Sequence, residues 1–318
     1  MGVKFWKLIC GAAVALALSL GLVGGSGDGG LLVAGSAEAA ETPNDFVYQL
    51  QRIDLDALGN TKFDLVITDY SRDGSNERKF TAAEIEGLKT SPGGPKQVLS
   101  YMSIGEAEDY RWYWQKNWDA NRDGRPDAGA PAWLGPSNPD WPGNYKVRYW
   151  DPEWQGIVYD YLDRVIAAGY DGVYLDLVDA YWYWRHDHVT AEADMVEFVK
   201  DIATYARTSG GGPDFQVYVQ NAEELSRHPD YLVAVSGIGR EDLFYNGNRP
   251  QSKGETRYAI QQLDRFKAAG KPVLVIDYVT KRDKINGFYR KAGSRGYVPY
   301  ATRRDLDVLT INRGHAPD

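Results

Sequence analysis

The stretch Gly169-Tyr170-Asp171-Gly172-Val173-Tyr174-Leu175-Asp176-Leu177-Val178-Asp179 holds a helix stop, a buried strand and an acidic strand end in one short span. Its apolar run, Gly172–Leu177, is too continuous for a strand with one wet face. Val173, Leu175 and Leu177 share one side and need helices over them. Gly172, Tyr174 and Asp176 share the other side and point to an interior. A strand buried on both faces that ends in an inward carboxylate fits a closed parallel barrel sheathed by helices.

The rest of the chain repeats this unit. Runs of strand length occur at Phe46–Leu50, Asp64–Asp69, Gln97–Ile104, Gln216–Gln220, Leu232–Ile238, Pro272–Val279 and Tyr297–Tyr300. Helical patterns lie between them. Asp151-Pro152-Glu153 supplies an N-cap oxygen, a proline at the first helical position and an acid in the first turn, and the helix it opens is expected to end at Ala168. Thr190–Arg207, Glu255–Ala269 and Lys281–Lys291 have helical apolar spacing and are followed by Gly210, Gly270 and Gly293. The first and fifth helices are expected to be short. Strands alternating with helices predict an α/β fold, a (β/α)8 TIM barrel, as a single domain over residues 41–318 with a long tryptophan-rich loop between strand three and helix three. An open doubly wound sheet is the alternative, but Asp54–Asn60 lacks the glycine-rich phosphate loop such a sheet normally carries after its first strand.

With 43% hydrophobic and 25% charged residues in 318, the composition is globular. A formal net charge of -8 argues against a nucleic-acid partner. Residues 1–40 read as a secretory signal peptide. Lys4 and Lys7 precede an apolar run, Gly11 to Val23, that is short for a bilayer span, and Ala37-Glu38-Ala39 is a small-residue cleavage pattern. The protein is therefore expected to be secreted, extracellular or periplasmic, with no stable membrane span after cleavage, and to act as a monomer. The single cysteine, Cys10, leaves with that segment, so the remaining chain has no disulfide, thiolate metal site or cysteine nucleophile.

In a barrel of this kind the active site lies at the carboxyl ends of the strands. Acids end or follow six of the runs: Asp69, Glu106, Asp176 with Asp179, Glu223 with Glu224, Glu241 with Asp242, and Asp277. A mouth ringed by carboxylates, with four histidines in the whole chain and none at a strand end, suits glycoside hydrolysis. That reaction needs one carboxyl to protonate the leaving oxygen and another to act as nucleophile or to activate water. Strand parity selects among them. Asp176 points inward on strand four, and on strand six Gly237, Gly239 and Glu241 share a face, the glycines leaving room beneath an inward glutamate. Asp176 and Glu241 are the candidate catalytic pair, with Glu241 favoured as the acid. Any one of the other acids could instead pair with arginine or cap a helix. Residues expected to line the groove are Asp69, Tyr70, Ser103, Glu106, Trp112, Trp150, Tyr174, Asp179, Asn221, Glu223, Asp277 and Tyr278.

No cofactor is expected for catalysis. His186 and His188, two apart, match no zinc pattern. In Asp119-Ala120-Asn121-Arg122-Asp123-Gly124-Arg125-Pro126-Asp127, Asp119, Asn121, Asp123 and Asp127 stand where a calcium loop has oxygen ligands, with Gly124 at its glycine position, although Ala130 replaces the terminal acid. An Asx-rich turn is the expectation there and a structural calcium the alternative. Outside the leader, nine tryptophans remain: seven between strand three and the start of the next helix, and Trp182 and Trp184 after strand four. Indole faces stack on sugar rings, and a long loop also needs its own small core. Two or three of the seven are expected to face the groove.

The segment from Gly169 to Asp179 resembles the Gly-x-Asp-Gly-Val-x-x-Asp-x-x-Asp signature of glycoside hydrolase family 114, the endo-α-1,4-polygalactosaminidase-like barrels. Tyr101–Glu108, Asn144–Pro152 and Gly239–Tyr245 resemble a bacterial and archaeal branch of that group, some members of which were once labelled cysteinyl-tRNA synthetase-like. The resemblance implies a polysaccharide substrate, a (β/α)8 fold and an Asp/Glu pair that falls on Asp176 and Glu241. Leu177 stands where the polygalactosaminidases carry Asn, and Gly-Arg-Glu-Asp replaces Val-Asn-Glu, so the reaction class is better specified than the sugar. A secreted endo-glycosidase acting on an amino-sugar, galactosaminan-like polysaccharide is the expected function. A non-catalytic carbohydrate-binding barrel and a metal-dependent polysaccharide deacetylase are the alternatives.

Overall fold

The computed structural model describes residues 42–318. The leader assigned to residues 1–40 lies outside the described residues.

Eight parallel strands follow one another around a barrel. They are β1 (Phe46–Gln49), β2 (Leu65–Thr68), β3 (Gln97–Ser103), β4 (Gly172–Asp176), β5 (Gln216–Gln220), β6 (Gly237–Glu241), β7 (Val273–Asp277) and β8 (Val298–Ala301). Parallel ladders join each strand to the next from β1 to β8. Across the remaining seam β1 and β8 meet through side chains, with the Phe46 and Tyr300 ring centroids 5.5 Å apart.

Helices sheathe the outside as parity requires. On helix Pro152–Ala167 the buried Val158, Tyr161, Leu162 and Val165 form one stripe, and the chain leaves it through Gly169 at φ +80°. Ala191–Thr208, Lys253–Ala268 and Arg282–Gly293 are the other long helices. The unit after β1 has only Leu55–Gly59, and the unit after β5 only Glu223–Arg227, a 3-10 turn, and Pro229–Ala234.

Two sequence expectations need correction. The run Leu232–Ile238 is not one strand, because Pro229 at the first helical turn and Asp230 beside it start a helix that lasts to Ala234, and β6 begins only at Gly237. Glycine is required in β6 because the tyrosines of β4 and β5 occupy the barrel interior. A Cβ on Gly237 would strike the Tyr218 ring, and one on Gly239 the Tyr174 hydroxyl. The long segment after β3 is also not an open loop. It carries its own antiparallel sheet of Glu106–Glu108, Trp141–Val147 and Leu134–Asn138.

Candidate active site

At the carboxyl end of the barrel the backbone turns sharply after three successive strands. The residue following each is left-handed without being glycine: Leu177 at φ +58°, Asn221 at +57° and Asp242 at +51°. Such conformations cost of order 1–3 kcal/mol each and persist where the surroundings impose them. Here neighbouring strands hold the turns, the Asn221 N–H donating to Gly239 O at 2.8 Å and the Asp242 N–H to Ile276 O at 2.9 Å. The turn at Leu177 brings its own N–H to Oδ1 of Asp176 at 2.7 Å, fixing that carboxyl at the tip of β4.

Asp176 and Glu241 are braced differently. The Tyr101 hydroxyl, from β3, donates to the other oxygen of Asp176 at 2.9 Å. Glu241 accepts from Gln220 Nε2 at 2.8 Å and Asn221 Nδ2 at 3.3 Å on one oxygen, and from the Tyr278 hydroxyl on the other. Both residues are half-buried. Burial, followed by the negative charge of Glu241, lifts Asp176 well above the ordinary carboxylate range, against the opposing pull of the Leu177 N–H and Tyr101. Two acids coupled by charge lose their protons in two steps that belong to the pair, so that one can be neutral while the other is ionised. Asp179 stands at the rim, raised to about 7 by burial and by Glu224, with Arg240 acting against both.

The sequence profile of glycoside-hydrolase family GH114 matches residues 31–316. The chain belongs to family GH114. The uncharacterized protein MJ1477 of Methanocaldococcus jannaschii is 40% identical over 280 residues, covering 84% of this chain and 78% of its own. A protein of Deinococcus radiodurans is 40% identical over 262 residues, 81% of this chain and 79% of its own. In fold, the barrel is similar to the glycoside hydrolase domain of PelA from Pseudomonas aeruginosa, with a TM-score of 0.63 at 18% identity over 85% of this chain and 98% of that one. It is also similar to Ega3 of Aspergillus fumigatus, solved in complex with galactosamine, with a TM-score of 0.61 at 19% identity over 85% and 94% of the two chains.

The carboxylates around the mouth of this GH114 barrel divide into two groups. Asp176, Glu241 and Asp179 are half-buried, whereas four others are buried and tied into the scaffold. Asp69 is buried in an ion pair with Arg111 at 2.8 Å, and Arg111 also holds Glu108 at 2.6 Å. Desolvation still raises Asp69 to about 6. Glu106 accepts from Asn138 at 2.9 Å, and Glu223 pairs with Arg240 at 3.1 Å. Asp277 accepts the backbone N–H groups of Leu243, Phe244 and Tyr245 at 2.8–3.1 Å and so anchors the loop after β6. Tyr70 is buried against Tyr161 with its hydroxyl on Gly74 O, and Ser103 Oγ closes the turn to Glu106 O.

The tryptophans divide in the same way. Trp114, Trp118, Trp133 and Trp154 pack in a chain with successive centroids 5.0–5.2 Å apart, the core of the insert after β3. Trp112 lies under the Arg164 guanidinium at 3.9 Å, and Trp150 stacks on His188 at 4.0 Å. The exposed indoles are Trp141 and Trp182. Trp182 lies three residues after Asp179, in the short helix Tyr181–Trp184 after β4, its Nε1 on Glu224 at 2.9 Å, with half-open Tyr183 beside it.

Asp119, Asn121, Asp123 and Asp127 direct their oxygens at the loop's own backbone. Asp119 accepts from Asp123 N and Gly124 N and from the Tyr145 hydroxyl, Asn121 from Asp123 N, Asp123 from Arg125 N and Asp127 from Ala120 N. This is a ladder of Asx turns, and among the described residues no group of three His, Cys, Asp or Glu could hold a metal ion. Nor is any described helix long and apolar enough to cross a membrane.

The sequence alone did not single out Tyr101, Gln220 or Arg240 as site residues. Inward parity on β3 and β5 was the available signal for Tyr101 and Gln220.

Proposed function

We propose that the protein is a secreted endo-glycosidase that cuts an amino-sugar polysaccharide of galactosaminan type with Asp176 and Glu241. The observation that carries this reading is the bracing of the two carboxyls on β4 and β6, coupled by charge at one opening. Galactosamine bound by the similar barrel of Ega3 supports the sugar class, as does the acidic rim.

In this reading the state ready to react carries the shared proton on Glu241. Gln220 and Asn221 donate to one oxygen of Glu241, and the proton sits on the other, where the Tyr278 hydroxyl turns to accept it. Asp176 is faced by the Leu177 N–H, which only donates, and by Tyr101, and both favour its ionised form. With Glu241 neutral, burial still raises Asp176 but the charge of Glu241 no longer adds to it. Glu241 then protonates the glycosidic oxygen as the C–O bond breaks. Asp176 either bonds to the anomeric carbon, to be displaced by water in a second step, or takes a proton from the water that attacks. Trp182 offers an indole face to a sugar ring beyond the cleavage point. Residues 1–40 direct export.

Incubation with partly deacetylated galactosaminan tests the reading. New reducing ends and shorter chains are expected, and neither EDTA nor added metal should change the rate. Binding without shortening would favour a carbohydrate-binding barrel, and EDTA-sensitive release of acetate a deacetylase.

A further inference from the structure

Beneath the carboxyl pair lies a polar group that no described residue satisfies. Tyr174, two residues before Asp176 on β4, is fully buried, and its hydroxyl has no hydrogen-bond partner. The ring crosses the interior toward β6, where the hydroxyl occupies the space that a Cβ of Gly239 would fill. Gly239 is two residues before Glu241 on the same face. The hydroxyl that starts under Asp176 therefore ends under Glu241, and the charges of both carboxyls act on it. A second orphan lies next to it. Gln220 is the register partner of Gly239, and its Oε1 is likewise buried without a partner while its Nε2 holds Glu241. A buried hydroxyl with nothing to bond is costly. A tyrosine kept in that position, over a glycine that admits it, calls for a use.

We propose that Tyr174 is a positioning residue for the carboxyl pair: its hydroxyl donates from the barrel floor, through one water, to whichever of Asp176 and Glu241 is ionised, and so fixes where the shared proton rests. The proposal rests on the reading of these two residues as the working pair. Donation to an anion stabilises the singly ionised pair relative to the fully protonated pair. The second ionisation gains little, because one O–H serves one carboxylate at a time. The other groups facing the pair are Tyr48 on β1, its ring 5.2 Å from that of Tyr174, Tyr101 on β3, Asp179 after β4, Gln220 and Asn221 at the end of β5, Arg240 on β6, Tyr278 after β7 and Arg304 after β8. All of them stay in place when one oxygen is removed from Tyr174.

The test is Tyr174→Phe, with the carboxyl carbons of Asp and Glu labelled and followed by NMR across pH, Asp176→Asn and Glu241→Gln supplying the assignments. The lower of the pair's two titration steps is expected to rise by about one pH unit, the size of one hydrogen bond to a charged group, while the upper step and the melting temperature hold. In the wild type, the Tyr174 hydroxyl proton should appear as a slowly exchanging downfield resonance that moves with that same step, a reading that needs no variant. Unmoved steps in a folded Tyr174→Phe, or a hydroxyl resonance indifferent to the carboxyl titration, would overturn the proposal. Neither readout uses the polysaccharide, so failure to cut galactosaminan would count against the proposed function and not against this role of Tyr174.

Discussion

The hydroxyl of Tyr101 donates to Oδ2 of Asp176 at 2.9 Å, and across the barrel Tyr278 makes the same kind of contact with Glu241. Each carboxyl of the proposed pair is thus held by a tyrosine from a neighbouring strand. Behind Tyr278 lies the Arg304 guanidinium, 4.2 Å from the ring centre and tied to Asp242 at 2.6 Å. Removing either hydroxyl takes away one hydrogen bond to a charged group, worth about 1.5–3 kcal/mol. Tyr101→Phe and Tyr278→Phe are each expected to lower kcat by about tenfold or more with little change in KM, as steady-state kinetics on galactosaminan would read. Equal losses confined to KM would mean that the tyrosines bind sugar instead.

Trp182 and Trp118 should behave oppositely on truncation. Trp182 is 46% exposed at the mouth, and Trp118 is buried in the indole chain of the insert. Trp182→Ala is expected to raise KM for long substrates by about tenfold, the worth of one aromatic stacking contact, with the melting temperature unchanged. Trp118→Ala should cost about 3–5 kcal/mol of stability in denaturant titration. A destabilised Trp182→Ala with unaltered KM would remove Trp182 from the groove.

Asp179 sets a pH dependence of stability with a definite sign. Burial and Glu224 raise it from the ordinary carboxylate value of 3.8 to about 7 in the folded chain. Between those values the folded state binds more protons than the unfolded one, so stability from this group is complete below the unfolded value and is lost as pH rises toward 7. Asp179→Asn is therefore expected to raise the melting temperature at pH 8 and to leave it nearly unchanged at pH 4. A larger gain at pH 4 would reverse the sign and remove the cause.

Arg111 joins Asp69 and Glu108 in a buried triad, with Tyr110 and Tyr161 rings around the guanidinium at 4.8 and 5.5 Å. Arg111→Leu leaves two carboxylates without a counter-charge and should cost about 3–5 kcal/mol in chemical unfolding. A cost below about 1 kcal/mol would mean that water reaches both acids.

Parity carried much of what was legible in the sequence. The alternation in Gly172–Leu177 turns Asp176 inward, and the Gly237, Gly239, Glu241 face does the same for Glu241, because side-chain direction in a strand is fixed by a period of two. Its reach ended where partners come from elsewhere in the chain. Asp69, Glu106, Glu223 and Asp277 look like Asp176 in sequence, yet Arg111, Asn138, Arg240 and the backbone of Leu243–Tyr245 engage them. Tryptophan enrichment likewise marks the insert after β3 without separating a packed indole such as Trp133 from an open one such as Trp141. The strand run at Leu232 misled because a Pro-Asp helix start and a short strand share one apolar stretch.

The most direct test of the carboxyl pair is the chain-length distribution of galactosaminan, by mass spectrometry, after treatment with wild type, Asp176→Asn and Glu241→Gln at matched folding. Wild type is expected to produce short oligomers, with both variants slower by about 10²–10⁴-fold, the usual contribution of an acid or base. Wild-type-like shortening by either variant would contradict the assignment of Asp176 and Glu241 as the catalytic pair.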